Sequence, residues 1–286
     1  PYRLQSVGST EVVASATRQD VAAFHGRQMT GPNTVVAVYG DVDPEVAESL
    51  LRRHFAALPA DGLALPVVST DEPRDKPALY IKAKPPTRAA AGVGLAFAGM
   101  MFSQVDDVAQ MDVLDTIISG YRYPTGWLEE SLRGGDRSLV YEVHAIHRPG
   151  PIPGCLQIYA ACEPAKVNEV YTIITEQLDR ARAGRFTEAE LARAKTIIET
   201  TRMLQLQSNA DRAMQAALDE LYGLGHDHTP RYLERIRSIT LQQVHAIARE
   251  YLTVPVVAVV TPAPEQVNLG IEPAAVDRDE VGKDSP

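Results

Sequence analysis

"TRQDVAAFHGRQMTGPNTVVAV" (residues 17–38) and "TLQQVHAIAREYLTVPVVAV" (residues 240–259) are the stretches on which the fold turns. Each opens on a threonine placed to cap a helix, its side-chain oxygen taking an N–H of the first turn that has no partner within the helix. Thr17 matches Thr240, Gln19 matches Gln242, Val21 matches Val244 and Ala23 matches Ala246. A turn follows in both copies, then Val-Val-Ala-Val, a β-branched run that predicts a buried strand. A capped helix, a turn and a strand are therefore written twice, and internal repetition of this kind organises what lies between. The second copy closes a long block, whereas the first stands almost at the beginning. If both copies belong to equivalent domains, most of a first domain is expected upstream of Pro1.

Working outward from the first copy, Asp43-Pro44-Glu45 is a helix start, with a capping aspartate and a proline in the first turn. That helix is expected to run to about Leu58. Pro59, Gly62, Pro66, Pro73 and Pro77 then read as an interdomain linker. The following block predicts strands over 78–84 and 92–99 and a helix over 104–119 capped by Ser103. A short helix over 125–133, strands over 139–147 and 154–162, and a helix over 164–183 come next. Thr187 and Glu190 form a capping box that opens a long, bent helix reaching Gly223 or Gly225. Helices over 229–238 and 240–252 precede the strand "VPVVAVV", and from residue 263 a polar, proline-rich tail is expected to be loose. The resulting division is 1–66 as the end of a first domain, 67–77 as linker, 78–262 as a complete second domain, and 263–286 as tail.

Composition narrows the function. The 286 residues are 45% hydrophobic and carry a net charge of −9, a globular balance with no basic cluster for a polyanion. Aromatics make up only 6%, too few for a base-stacking platform, so no nucleic-acid partner is expected. No apolar run approaches the roughly 20 residues of a membrane-spanning helix. Cys155 and Cys162, seven residues apart on one strand, would lie roughly 23 Å apart and cannot bridge each other. The chain contains neither H-x-x-E-H nor H-E-x-x-H. His144 and His147 would point to opposite faces of their strand. His226 and His228 sit in a glycine-flanked connector without a third ligand, and no metal site is expected. The compartment stays open, bacterial periplasm and cytoplasm alike.

Three segments carry a resemblance. "PYRL" followed by "TRQDVAAFHGRQMTGPNTVVAVYGDVDPEVAESLLRRHFAALP" resembles the closing part of the first domain in M16 zinc metallopeptidases, the pitrilysin, insulinase and mitochondrial-processing-peptidase group. "LRGGDRSLVYEV" (132–143) and "GRFTEAELARAK" (184–195) resemble segments of that family's second domain. The resemblance implies an α+β fold, with a mainly antiparallel sheet and helices packed on one face of each domain. It implies zinc in a first domain or a partner subunit, none in this chain, and inactivity of the chain alone. It also implies that Arg133 and Tyr141 contact peptide substrate across a closed chamber. The family commonly spaces that pair by seven residues. Here the spacing is eight, and Gly134-Gly135 is expected to absorb the extra residue, with Arg137 as the competing arginine. The expected partners are a peptide or unfolded protein segment and either the first domain or a zinc-bearing M16 chain, in a homo- or hetero-dimer. The alternative reading is a non-catalytic structural or peptide-binding subunit.

Overall fold

A computed structural model describes residues 7–62, 74–85, 90–120, 123–135 and 138–277. They fall into two compact units, one within Pro1–Thr70 and Gln205–Thr229, the other within Asp71–Leu204 and Pro230–Pro286. The expected linker at 67–77 lies largely outside the described residues.

The first unit holds helices α1 (Thr10–Ser15), α2 (Arg18–Gln28) and α3 (Pro44–Phe55), and later in the chain α8 (Asn209–Leu221). Thr17 caps α2 in a complete capping box: Asp20 N donates to Thr17 Oγ1 and Thr17 N donates to the Asp20 carboxylate. Asp43 caps α3 through Oδ1, with Pro44 at the first position. The strand expected at 34–40 does not form. Thr34 is extended, but no strand pairs with residues 34–39 among those described. A strand exists only by hydrogen bonding to a neighbour, and β-propensity alone does not supply one.

The second unit contains the whole sheet. Its elements are β1 (Ala78–Ala83), β2 (Ala91–Ala98), α4 (Val105–Ser119), α5 (Trp127–Leu132), β3 (Val140–Arg148), β4 (Cys155–Cys162), α6 (Val167–Arg182) and α7 (Glu188–Gln205). After α8 come α9 (His228–Ser238), α10 (Leu241–Tyr251), β5 (Val256–Thr261) and β6 (Pro273–Asp277). The strand order is β3-β4-β2-β5-β1-β6. β3–β4, β4–β2 and β2–β5 pair antiparallel, while β1 pairs parallel with both β5 and β6. Alternate residues of the inner strands, such as Leu79, Val93, Leu95, Ile158, Val257 and Val259, are buried in one core with the apolar sides of α4, α6 and α10. Their neighbours Tyr80, Gln157, Ala258 and Val260 face outward and are exposed. This is the α+β layering implied above, one face of the sheet covered by helices.

Three further expectations need correction. The helix from 188 is two helices, broken at 206–208, where Ser208 caps α8 by accepting from Asp211 N. The cap of α4 is Gln104, not Ser103. Gln104 Oε1 instead accepts from Met101 N in the preceding turn. The tail is not loose throughout, because Pro273–Asp277 adds β6 to the edge beside β1, with Lys82 and Asp277 3.4 Å apart. Its proline occupies the first position of an edge strand, where a missing donor costs nothing.

Candidate substrate-contacting site

Arg133 and Tyr141 bracket the loop between α5 and β3. α5 is anchored at its first residue, Trp127, which is 1% exposed. The indole stacks on Phe186 at 5.2 Å between ring centroids, and the Arg180 guanidinium lies 3.7 Å from its ring centroid on a cation–π contact. Trp127 Nε1 donates to Glu190 Oε1 at 2.6 Å, and Arg180 Nη2 donates to the same oxygen at 2.9 Å. Glu190 Oε2 meanwhile accepts from Thr187 N and Oγ1 at 2.8 and 2.9 Å, completing the capping box of α7. The GRFTEAEL segment thus does more than start a helix. Phe186 and Glu190 clamp the tryptophan that fixes α5. Burial raises the Glu190 carboxyl, but the hydrogen bonds from Trp127 and Thr187 outweigh it and hold the group below its usual range. The chain's single tryptophan and its capping box were both visible in the sequence, but not their meeting 63 residues apart.

Arg133 is the C-cap residue of α5, and its guanidinium pairs with Glu129 Oε1 at 2.9 Å. A cation at a helix C-terminus is favoured by the helix dipole. The side chain remains 42% exposed, so part of its donor fork faces solvent. The chain then turns over Gly134, where an added Cβ would lie 2.3 Å from the Glu130 carbonyl oxygen. Any larger residue there must push backbone aside. Leu139 N donates to Leu132 O at 3.0 Å, which closes the loop and sets the start of β3 beside the end of α5. Arg137, the competing arginine, lies outside the described residues.

Tyr141 stands at a β-bulge. Val140 pairs with Cys162 and Glu142 with Ala161, so two residues advance on β3 for one on β4. Tyr141 and Glu142 are consecutive and both exposed, whereas Val140 and Val143 on either side are buried. A bulge of this kind re-aims a side chain and adds one residue to a strand. The Tyr141 ring is 58% exposed. β3 thus carries a one-residue irregularity of its own at the tyrosine, besides the Gly134-Gly135 turn that was expected to absorb the eight-residue spacing.

Residues 15–198 match the family described as "Peptidase M16 inactive domain". The chain belongs to the M16 peptidase family. Over 251 residues this M16 chain is 30% identical to an uncharacterized zinc protease of Mycobacterium leprae, covering 86% of itself and 54% of that relative. It is 22% identical over 274 residues to mitochondrial-processing peptidase subunit beta of Bos taurus, covering 90% of itself and 53% of that protein. The crystal structure of a peptidase M16 inactive domain from Pseudomonas fluorescens superposes with a TM-score of 0.76 at 23% identity, over 90% of this chain and 60% of that one. The chain spans about half the length of the curated relatives it matches.

Zinc appears in the name of the Mycobacterium relative. No H-x-x-E-H is present, and among the described residues no three His, Cys, Asp or Glu side chains are placed to share a metal ion. His226, one of the connector pair, has an exposed side chain with Nδ1 3.8 Å from Glu220. Cys155 and Cys162 are free thiols, and burial pushes the Cys162 thiol up to about 11.

Proposed function

We propose that this chain is the zinc-lacking, substrate-contacting part of an M16-type peptidase. In this reading it helps to enclose a peptide or unfolded segment in a closed chamber, while a first domain or a partner M16 chain holds zinc. Arg133 offers the planar donor fork that suits a peptide carbonyl or a terminal carboxylate. The hydroxyl of Tyr141 can donate to an oxyanion as it develops on the scissile carbonyl. The observation that carries this reading is the bulge at Tyr141. There the tyrosine is exposed, near the start of the strand that follows the arginine-bearing end of α5.

The test is kinetic, in the complete active assembly. Arg133→Ala and Tyr141→Phe are each expected to lower peptide turnover by about 10-fold or more, the loss of one or two charged or oxyanion-directed hydrogen bonds. Zinc content should not change. Unaltered turnover in both variants removes the pair from the mechanism. The second reading, a structural or peptide-binding subunit beside a zinc-bearing chain, draws on the likeness to a protein named as a subunit. An assembly in which this chain is required for complex formation, yet both variants turn over normally, would favour it.

A further inference from the structure

α5 has only six residues and does not hold its own place. Helices this short are marginal in water, because fixing the first turn costs more conformational entropy than its few hydrogen bonds offset. The N-cap position is Gly126, and no side-chain capping bond forms there. Leu128 and Leu132 are fully buried and keep the helix on the core. Apolar contact is non-directional, however, and does not by itself fix how far a helix slides or how it is rotated. Arg133 is the residue that ends this helix, so any sliding or rotation of α5 moves its guanidinium.

Direction comes from Glu190. Its two oxygens take four donors, two each: Trp127 Nε1 and Arg180 Nη2 on one, the amide and hydroxyl of Thr187 on the other. Thr187 ties the carboxylate to the start of α7, Trp127 to the start of α5, and Arg180 to the end of α6. Arg180 Nε also donates to Arg185 O at 3.4 Å, which holds the guanidinium against the connection between α6 and α7. Hydrogen bonds to an ionised acceptor are short, strong and directional. The bond to the indole therefore fixes where α5 begins, and at 1.5 Å per residue Arg133 follows about 9 Å along the axis.

We propose that Glu190 is a positioning residue for Arg133: through Trp127 it fixes the helix from which the guanidinium is aimed, without itself touching substrate. This assignment rests on the reading of Arg133 as a substrate contact. It differs from a role in stability alone. A Glu190 that only stabilised the chain would change activity by the same factor whatever stood at position 133. A Glu190 that positions Arg133 has nothing left to act on once that guanidinium is removed.

The test is a double-mutant cycle in the complete active assembly. Glu190→Gln gives up the charge, and Trp127→Phe keeps an aromatic ring but loses the N–H. Each should lower peptide turnover about 5-fold or more, the coupling expected within one hydrogen-bonded network. In an Arg133→Ala background the same changes should cost less than about 2-fold. In this chain alone, the amide resonances of Arg133 and Leu139, which bond to Glu129 O and Leu132 O of α5, should move in both variants. Those of Val257 and Val259 on β5 should stay in place. Equal losses in the two backgrounds overturn the proposal while leaving the role of Arg133 intact. Full activity of both variants, or an Arg133 amide that does not move, overturns it in the same way. Normal turnover by Arg133→Ala itself overturns the substrate-contact reading, and the positioning role with it.

Discussion

Asp115 gives a sharp quantitative test of the core. It lies on α4 and is 4% exposed, and burial raises its carboxyl from 3.8 to about 6. The Ser119 hydroxyl, donating at 2.8 Å, opposes that rise, the nearby Asp112 carboxylate adds to it, and His147 again opposes it. The surroundings are themselves polar and tied down. His147 Nδ1 lies 2.9 Å from Asp112 Oδ1, and the Tyr232 hydroxyl of α9 donates to Asp112 Oδ2 at 2.7 Å. A carboxyl that holds its proton more tightly when folded stabilises the native state at low pH. That contribution is complete below 3.8 and is lost as the pH rises through about 6. The interval, at about 1.4 kcal/mol per pH unit, amounts to roughly 3 kcal/mol. Asn at this position keeps the acceptor for Ser119 and cannot ionise. Asp115→Asn is therefore expected to be more stable than the parent at pH 8, by up to about 3 kcal/mol, and the gap should close towards pH 4. Urea unfolding followed by tryptophan fluorescence reads this unit alone, because Trp127 is the only tryptophan and lies in its core. A stability difference that is independent of pH, or one that grows on acidification, refutes the argument.

Glu190→Gln removes the charge shared by Trp127, Arg180 and Thr187, and should cost about 1.5–3 kcal/mol by the same fluorescence assay. Its own linkage runs opposite to that of Asp115. The parent should lose this increment as the pH falls below 4.5, and the variant should not. Val244→Ala should destabilise the chain by roughly 1.5–3 kcal/mol, whereas Val21→Ala at the matching, exposed position should be nearly neutral; equal effects would contradict the difference in burial. Gly134→Ala forces the Glu130 carbonyl to move and should cost about 1–3 kcal/mol. Faster hydrogen exchange at Leu139, whose amide closes the loop, is the accompanying sign.

Much of the fold was legible because its signals are local. Thr17, Thr187 and Thr240 cap the helices they were expected to cap, since a capping box is settled within four residues. The strands of the second unit follow from alternating or continuous apolar runs. β6 was not legible, because "PAAVD" has no pattern of its own and becomes a strand only by pairing with β1. The run at 34–39 erred the other way, being a strong β-branched signal with no strand paired to it among the described residues. At the site, Arg133 and Tyr141 could be named only through family resemblance. The clamp of Trp127 by Phe186, Arg180 and Glu190 joins residues far apart in the chain and leaves no periodic trace.

By itself, then, the sequence determined what nearest neighbours decide: the duplicated threonine-capped helix, the capped starts of other helices, the apolar periods and the absence of a zinc motif. Tertiary structure alone decided which copy of the repeat is buried, that β3 bulges at Tyr141, and which carboxyl is forced towards neutrality. The physical reason is one and the same in each case. Burial, strand pairing and desolvation are properties of what surrounds a residue in space, and identical local sequences such as Val35–Val38 and Val256–Val259 acquire them only from neighbours distant along the chain.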